Sequence, residues 1–184
     1  NKTLFMEIVI ILGLIFFNGI LSMSEIAMVS ARKSRLETAA KKGSKTAKTA
    51  LRLANEPDRF LSTIQIGITL IGILTGLYSG EALAGDLARW LETIGIPQAH
   101  SLTLAKGIIV ILVTYLTLIL GELVPKHLGM NAPEKIARLI ARPMEVLSKI
   151  ASPFVWLLSA STQAVIRLTG LHTSTENKAV SYTH

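Results

Sequence analysis

Three stretches of this chain are apolar for long enough to cross a bilayer, and the polar positions inside them are not scattered. They cover roughly residues 4–29, 60–77 and 104–123. About 20 predominantly apolar residues suffice for a spanning helix, so each is predicted as one. In the first, Asn18, Ser22 and Glu25 stand at i, i+4 and i+7 and therefore share a helix face. In the second, Ser62, Gln65, Thr69, Gly72, Gly76 and Ser79 recur at steps of three and four. Gly72, Gly76 and Gly80 are also successive small-xxx-small pairs, which let helix backbones approach closely, within a protomer or across a dimer. Thr114, Thr117 and Gly121 continue the pattern in the third.

The connections read differently. Residues 34–54 alternate Ala, Lys and Leu at helical spacing and predict one or two amphipathic helices on the inner membrane surface. Asn55-Glu56-Pro57-Asp58 is a turn into the second span. Gly80, Glu81, Gly85 and Asp86 predict that this helix bends or leaves the membrane between residues 78 and 90. Residues 94–101 form an outside loop, poor in Lys and Arg. Asn131-Ala132-Pro133-Glu134 resembles a helix start with proline in the first position. Pro143 and Pro153 are expected to break the last apolar segment, so residues 146–168 are predicted as two short helices half-embedded at the inner face, anchored by Trp156. From His172 the chain is a linker.

Composition supports a membrane protein. Half of the 184 residues are hydrophobic, mean hydropathy is +0.50 and only 17% are charged. Without cysteine, no disulfide or thiolate metal site is possible. The net charge is +7, and +6 of it lies between Arg32 and Arg59, where nine Lys or Arg face three acids. No aromatic interleaving or nucleic-acid motif accompanies that excess. It is read instead as topology and headgroup contact, which makes this loop cytoplasmic and the N-terminus external. Three spans then leave the C-terminus cytoplasmic.

The chemistry is concentrated at Gly121-Glu122-Leu123-Val124-Pro125-Lys126. An ionisable group at membrane depth is a functional-site hypothesis. Pro125 has no N–H, so the carbonyl of Gly121, four residues back, loses its helical donor. A carboxylate and a freed carbonyl side by side suit a small hard cation; alternatively, Glu122 is a helix-end residue reaching the headgroups. His127 is an interface residue rather than a ligand. Glu25 is the natural second negative group, or else a partner for Lys126.

Three blocks in order resemble the membrane domain (DUF21 type) of the bacterial CorB/CorC and animal cyclin M (CNNM) proteins: residues 17–25 with 27–30, residues 61–67, and residues 121–126. The resemblance covers nearly the whole chain. It implies a homodimeric, all-α membrane domain of three transmembrane helices over residues 1–170, with cytoplasmic-side juxtamembrane helices, in the bacterial plasma membrane. The nucleotide-binding CBS domains of full-length relatives are missing, and residues 171–184 are the linker. It also implies Mg²⁺ export, coupled to Na⁺ entry. Together with the polar stripes, it points to Asn18, Ser22, Glu25, Thr69, Gly121 and Glu122 as the metal site. One departure is Gly72, where some relatives carry an asparagine.

Two functions fit: a secondary transporter that moves Mg²⁺ outward, or a membrane-embedded Mg²⁺ sensor or scaffold that regulates another channel. Enzyme activity is not expected, because there is no His–Asp pair, no Gly-x-Ser-x-Gly and no two-His zinc spacing. The charge asymmetry also makes a topological prediction. Cysteines introduced into residues 41–48 and 98–101 should label from opposite sides of the membrane; labelling of both from one side would overturn the three-span reading.

Overall fold

A computed structural model describes residues 2–170 of the chain; the predicted linker, residues 171–184, lies outside them. Among the described residues there are only helices and turns, and three helical runs are long and apolar enough to cross a membrane: Lys2–Ser30, Pro57–Thr93 and Gln98–Asn131. We label the helices α1 (Lys2–Ser30), α2 (Lys33–Lys41), α3 (Lys45–Asn55), α4 (Pro57–Thr93), α5 (Gln98–Leu118), α6 (Val124–Asn131) and α7 (Pro133–Leu168). A π-helical turn, Ile119–Leu123, joins α5 to α6 within the third span.

Polarity is distributed inside out, as a bilayer solvent requires. Asn18, Ser22, Ser24, Thr63, Thr75 and Ser79 are buried, whereas Phe16, Leu70, Leu77, Ile111 and Tyr115 are exposed. Several hydroxyls inside the spans close onto their own helices: Ser24 donates to the Ile20 carbonyl at 2.6 Å, Thr63 to Arg59 at 2.8 Å and Thr75 to Ile71 at 2.7 Å.

The main core lies at the basic end, not at mid-span. Leu21 and Met28 of α1, Leu36 of α2, Ala50 of α3, Phe60 and Ile64 of α4, and Ile140 and Met144 of α7 form one buried cluster. The amphipathic connections are thus folded against the spans. Glu134, at the start of α7, ties α2 to this base: it accepts the Arg32 amide at 3.2 Å and lies 3.9 Å from the Arg35 guanidinium. Its carboxyl is held below the ordinary glutamate range, first by its own backbone N–H and then by the Arg32 amide and the Arg35 and Arg32 charges, against the opposing effect of desolvation. A depressed carboxyl stabilises the fold above its unfolded value, and this contribution fades as pH falls through the folded one.

Three expectations are corrected. The helix of the second span does not stop near residue 77: α4 runs unbroken for 37 residues, because Gly80 and Gly85 only lower helix propensity and the packed neighbours of this region outweigh that. Pro143 and Pro153 do not break the last segment. They lie inside one 36-residue helix, α7, where each removes a single donor opposite an exposed turn. In place of two short helices, the single α7 packs its first half on the core and presents residues 153–170 with almost no burial.

Of the two contacts expected of the glycine ridge, the one within the protomer is not made. A Cβ on Gly72, Gly76 or Gly80 would meet nothing within 4 Å, so the ridge packs against no helix of its own chain. The close approaches are made elsewhere. A Cβ on Gly19 would stand 2.9 Å from the Leu120 carbonyl and 3.0 Å from Pro125 Cγ; one on Gly129 would stand 2.8 Å from the Met23 carbonyl and collide with Ile26. These two glycines bring α1 against the third span. Gly129→Leu should therefore lower the thermal unfolding midpoint by overpacking, a cost of about 1–3 kcal/mol or more, while Gly76→Leu should leave the midpoint of the isolated protomer unchanged.

Candidate functional site: a proline-opened turn clasped by Asn18

The third span cannot remain a regular α-helix at its polar end. Pro125 offers no N–H, and the backbone widens into the π turn, where the Val124 amide reaches back to Ile119. The freed carbonyl of Gly121 is not vacant. Asn18 Nδ2 donates to it at 3.2 Å across 103 residues of sequence, and both residues are buried. The expectation of a bare carbonyl is thereby corrected: a buried backbone oxygen without a partner costs about 1–3 kcal/mol, and the amide of Asn18 satisfies it. Glycine makes room for this approach, since a Cβ on residue 121 would sit 3.0 Å from Asn18 Nδ2.

Around this clasp the oxygens are unusually free. Ser22, one turn along α1 from Asn18, is 2% exposed yet makes no hydrogen bond among the described residues, in contrast to the back-bonded Ser24. Thr117 Cγ2 lies against Gly121, and the Thr117 hydroxyl is buried without any partner among them. Glu122 is half-buried, Glu25 likewise, and neither takes part in a hydrogen bond or an ion pair among the described residues. Glu25 is therefore not paired with Lys126. His127 is exposed.

Asn18 and Gly121 are thus in contact, with Ser22, Glu25 and Glu122 on the elements that flank them. Thr69 is not gathered in. It stands on the exposed face of α4 and accepts a hydrogen bond from Gln65 Nε2 at 3.2 Å. Thr117 belongs to a polar stripe in the sequence but not to the predicted site. Its orphaned hydroxyl depends on a turn geometry that helical spacing does not reveal. No cluster of three or more His, Cys, Asp or Glu occurs among the described residues, so a cation here would meet carbonyl, amide and hydroxyl oxygens and few charges. The groove of about 420 Å³ beside the clasp, between Phe16, Met23, Leu120 and Leu128, is apolar and offers no ion path.

The family model for the cyclin M transmembrane N-terminal domain matches residues 9–183. The chain belongs to this family. Among curated proteins it is similar to the UPF0053 protein sll0260 of Synechocystis sp., at 48% identity over 90% of this chain and 37% of that protein. It is also similar to the UPF0053 protein YhdT of Bacillus subtilis, at 32% identity over 84% of this chain and 33% of that protein. The polyamine export protein of Escherichia coli K12 is 30% identical over 88% of this chain and 36% of that protein. The cyclin M-type chain thus spans about a third of the length of the curated relatives it matches.

The clasp predicts a specific sensitivity. Asn18→Leu leaves the Gly121 carbonyl without a donor and should destabilise the protein by about 1–3 kcal/mol, read as a lower thermal midpoint. Asn18→Gln, which keeps an amide, should recover part of that loss. Equal midpoints for wild type and Asn18→Leu would show that the clasp is not needed.

Proposed function

We propose that this domain is the membrane part of a cation exporter whose cargo is Mg²⁺, driven by an opposing Na⁺ gradient. One observation carries the reading: a carboxylate without a partner, Glu122, in a membrane span next to the clasped carbonyl, with the unbonded hydroxyls of Ser22 and Thr117 on the elements beside it. Unpaired acids and hydroxyls inside a span are costly and mark ion pathways. Mg²⁺ demands octahedral oxygen ligation and surrenders water reluctantly. A few neutral oxygens plus one carboxylate suit an ion that keeps part of its water shell.

A second reading comes from the relative named polyamine export protein. A polyamine spreads its charge along a chain and would need acids at intervals; Glu25 and Glu122, both unpaired, are the candidates here. The sensor or scaffold reading uses the same site without turnover. In each case we take the active form to be a homodimer in the bacterial inner membrane, with the basic loop cytoplasmic. Gln65 and Thr69 would otherwise face lipid on α4, where polar groups seek partners across helices, and the open Gly72 and Gly76 give a second copy room to approach.

Flux separates the alternatives. Proteoliposomes holding only this protein should move Mg²⁺, and faster with an opposing Na⁺ gradient; movement of spermidine but not Mg²⁺ would transfer the assignment to polyamines. Binding without flux of either would leave the sensor. Glu122→Gln should abolish the thermal stabilisation given by Mg²⁺ and slow flux by roughly tenfold or more, the value of one charge-assisted contact. Ser22→Ala should do less, because water can replace one neutral ligand. A wild-type Mg²⁺ response in a folded Glu122→Gln protein would make Glu122 a structural residue.

A further inference from the structure

The α2–α3 hairpin and α7 enclose a cleft of about 380 Å³ lined by Arg35, Thr38, Ala39, Lys42, Ser44 and Arg138. Three cations from two separate parts of the chain meet here. The corner between them is set by Gly43, whose φ of +99° only glycine adopts readily, and by Ser44, which caps α3 by accepting the Ala47 amide at 3.2 Å. Ser44 also accepts from Arg138 Nη2 at 3.0 Å, which fixes that guanidinium at the rim with the rest of its N–H groups free. Lys42 makes no ion pair among the described residues. Arg35 has one acidic neighbour, Glu134, at 3.9 Å. The Thr38 hydroxyl spends its proton on the Ser34 carbonyl at 2.9 Å, so it offers only lone pairs.

Three positive groups against one carboxylate leave two charges uncompensated in a concave site rich in N–H donors. The neighbouring cleft on the same base differs. Arg52 and Lys149 both reach Glu145, at 3.2 and 3.7 Å, and the neighbouring cleft that they line also holds Glu56. There three cations, Arg52, Arg59 and Lys149, meet two carboxylates, and each cation is ion-paired with one of them. In the opening at Arg35, Lys42 and Arg138 only Arg35 has an acidic partner, and planar guanidinium forks with a flexible ammonium are the donor set that grips a tetrahedral oxyanion.

We propose that this cleft is a binding site for a phosphate group carrying two negative charges, supplied by a phospholipid headgroup or by a soluble phosphate ester. It is independent of the cation site. The ligand would bridge α2 to α7 and so brace the hairpin against the main core, which makes bound phosphate a stabiliser of the whole base. A ligand that binds only the folded state raises the unfolding midpoint, and does so increasingly as its concentration exceeds Kd.

The test is thermal unfolding of the purified protein in neutral detergent, with inorganic phosphate compared with chloride at matched ionic strength. A second arm uses protein reconstituted into vesicles of phosphatidylcholine with or without phosphatidic acid. Stabilisation by inorganic phosphate assigns the soluble source; stabilisation by phosphatidic acid alone assigns the headgroup. Either supports the site. Lys42→Gln, which breaks no internal contact, should weaken the apparent affinity for the effective probe about tenfold, the equivalent of one charge-assisted hydrogen bond. Lys41→Gln, a neighbouring exposed lysine outside the cleft, should not. No stabilisation from either probe, or equal weakening by Lys41→Gln and Lys42→Gln, would overturn the proposal and reduce the effect to general surface charge.

Discussion

A carbonyl that has lost its helical donor inside a membrane span must find another, and most of the architecture around the third span depends on that need. Wherever water does not reach inside a span, the backbone has to be satisfied by the protein itself. Pro125 removes the donor for Gly121, and the substitute is a side chain long enough to reach across from α1. Asn18 fills that role at 3.2 Å. Reaching it requires the two backbones to lie close, which explains why glycines stand at 19, 121 and 129, the positions where a Cβ would crowd the neighbouring helix. The polar interaction and the small residues are one device.

That device sets the chemistry beside it. With Asn18 committed to structure, the groups left to meet a cation are the hydroxyls of Ser22 and Thr117 and the carboxylates of Glu25 and Glu122. The back-bonded hydroxyls elsewhere in the spans make the contrast meaningful: Ser24, Thr63 and Thr75 are spent on their own helices, while Ser22 and Thr117 are not. In the proposed function, weak neutral ligands with sparse charge would bind a cation without trapping it, as passage rather than storage requires.

The basic end works on another principle. Its helices are anchored by ordinary apolar burial, with Leu36, Phe60, Ile64, Ile140 and Met144 in one cluster, and its charges are partly paired across the surface. Exposed pairs of this kind contribute little each, about 0–1 kcal/mol, so the hydrophobic cluster, rather than the charges, holds the base. Glu134 is the better-placed acid, because it also accepts a backbone amide.

The three spans, the hairpin of amphipathic helices, the proline-led start of α7 and the family were all legible from the sequence, because hydropathy length, helical period and cap chemistry are local properties. The polar stripe Asn18–Ser22–Glu25 was legible for the same reason. Spacing could not decide which freed group meets which. Whether the Gly121 oxygen awaits a cation or is taken by Asn18 depends on the distance between two helices 103 residues apart. The same holds for Gly72 and Gly76, whose spacing implied contact but which face no helix of their own chain, and for Thr69, which faces outward. Pro143 and Pro153 read as breaks because each removes a hydrogen bond, yet α7 runs through both. Its first half is pinned to the core by Ala137, Ile140, Ala141 and Met144, and the bonds lost lie on its exposed side. A missing donor is written in the sequence; its replacement is a fact of packing.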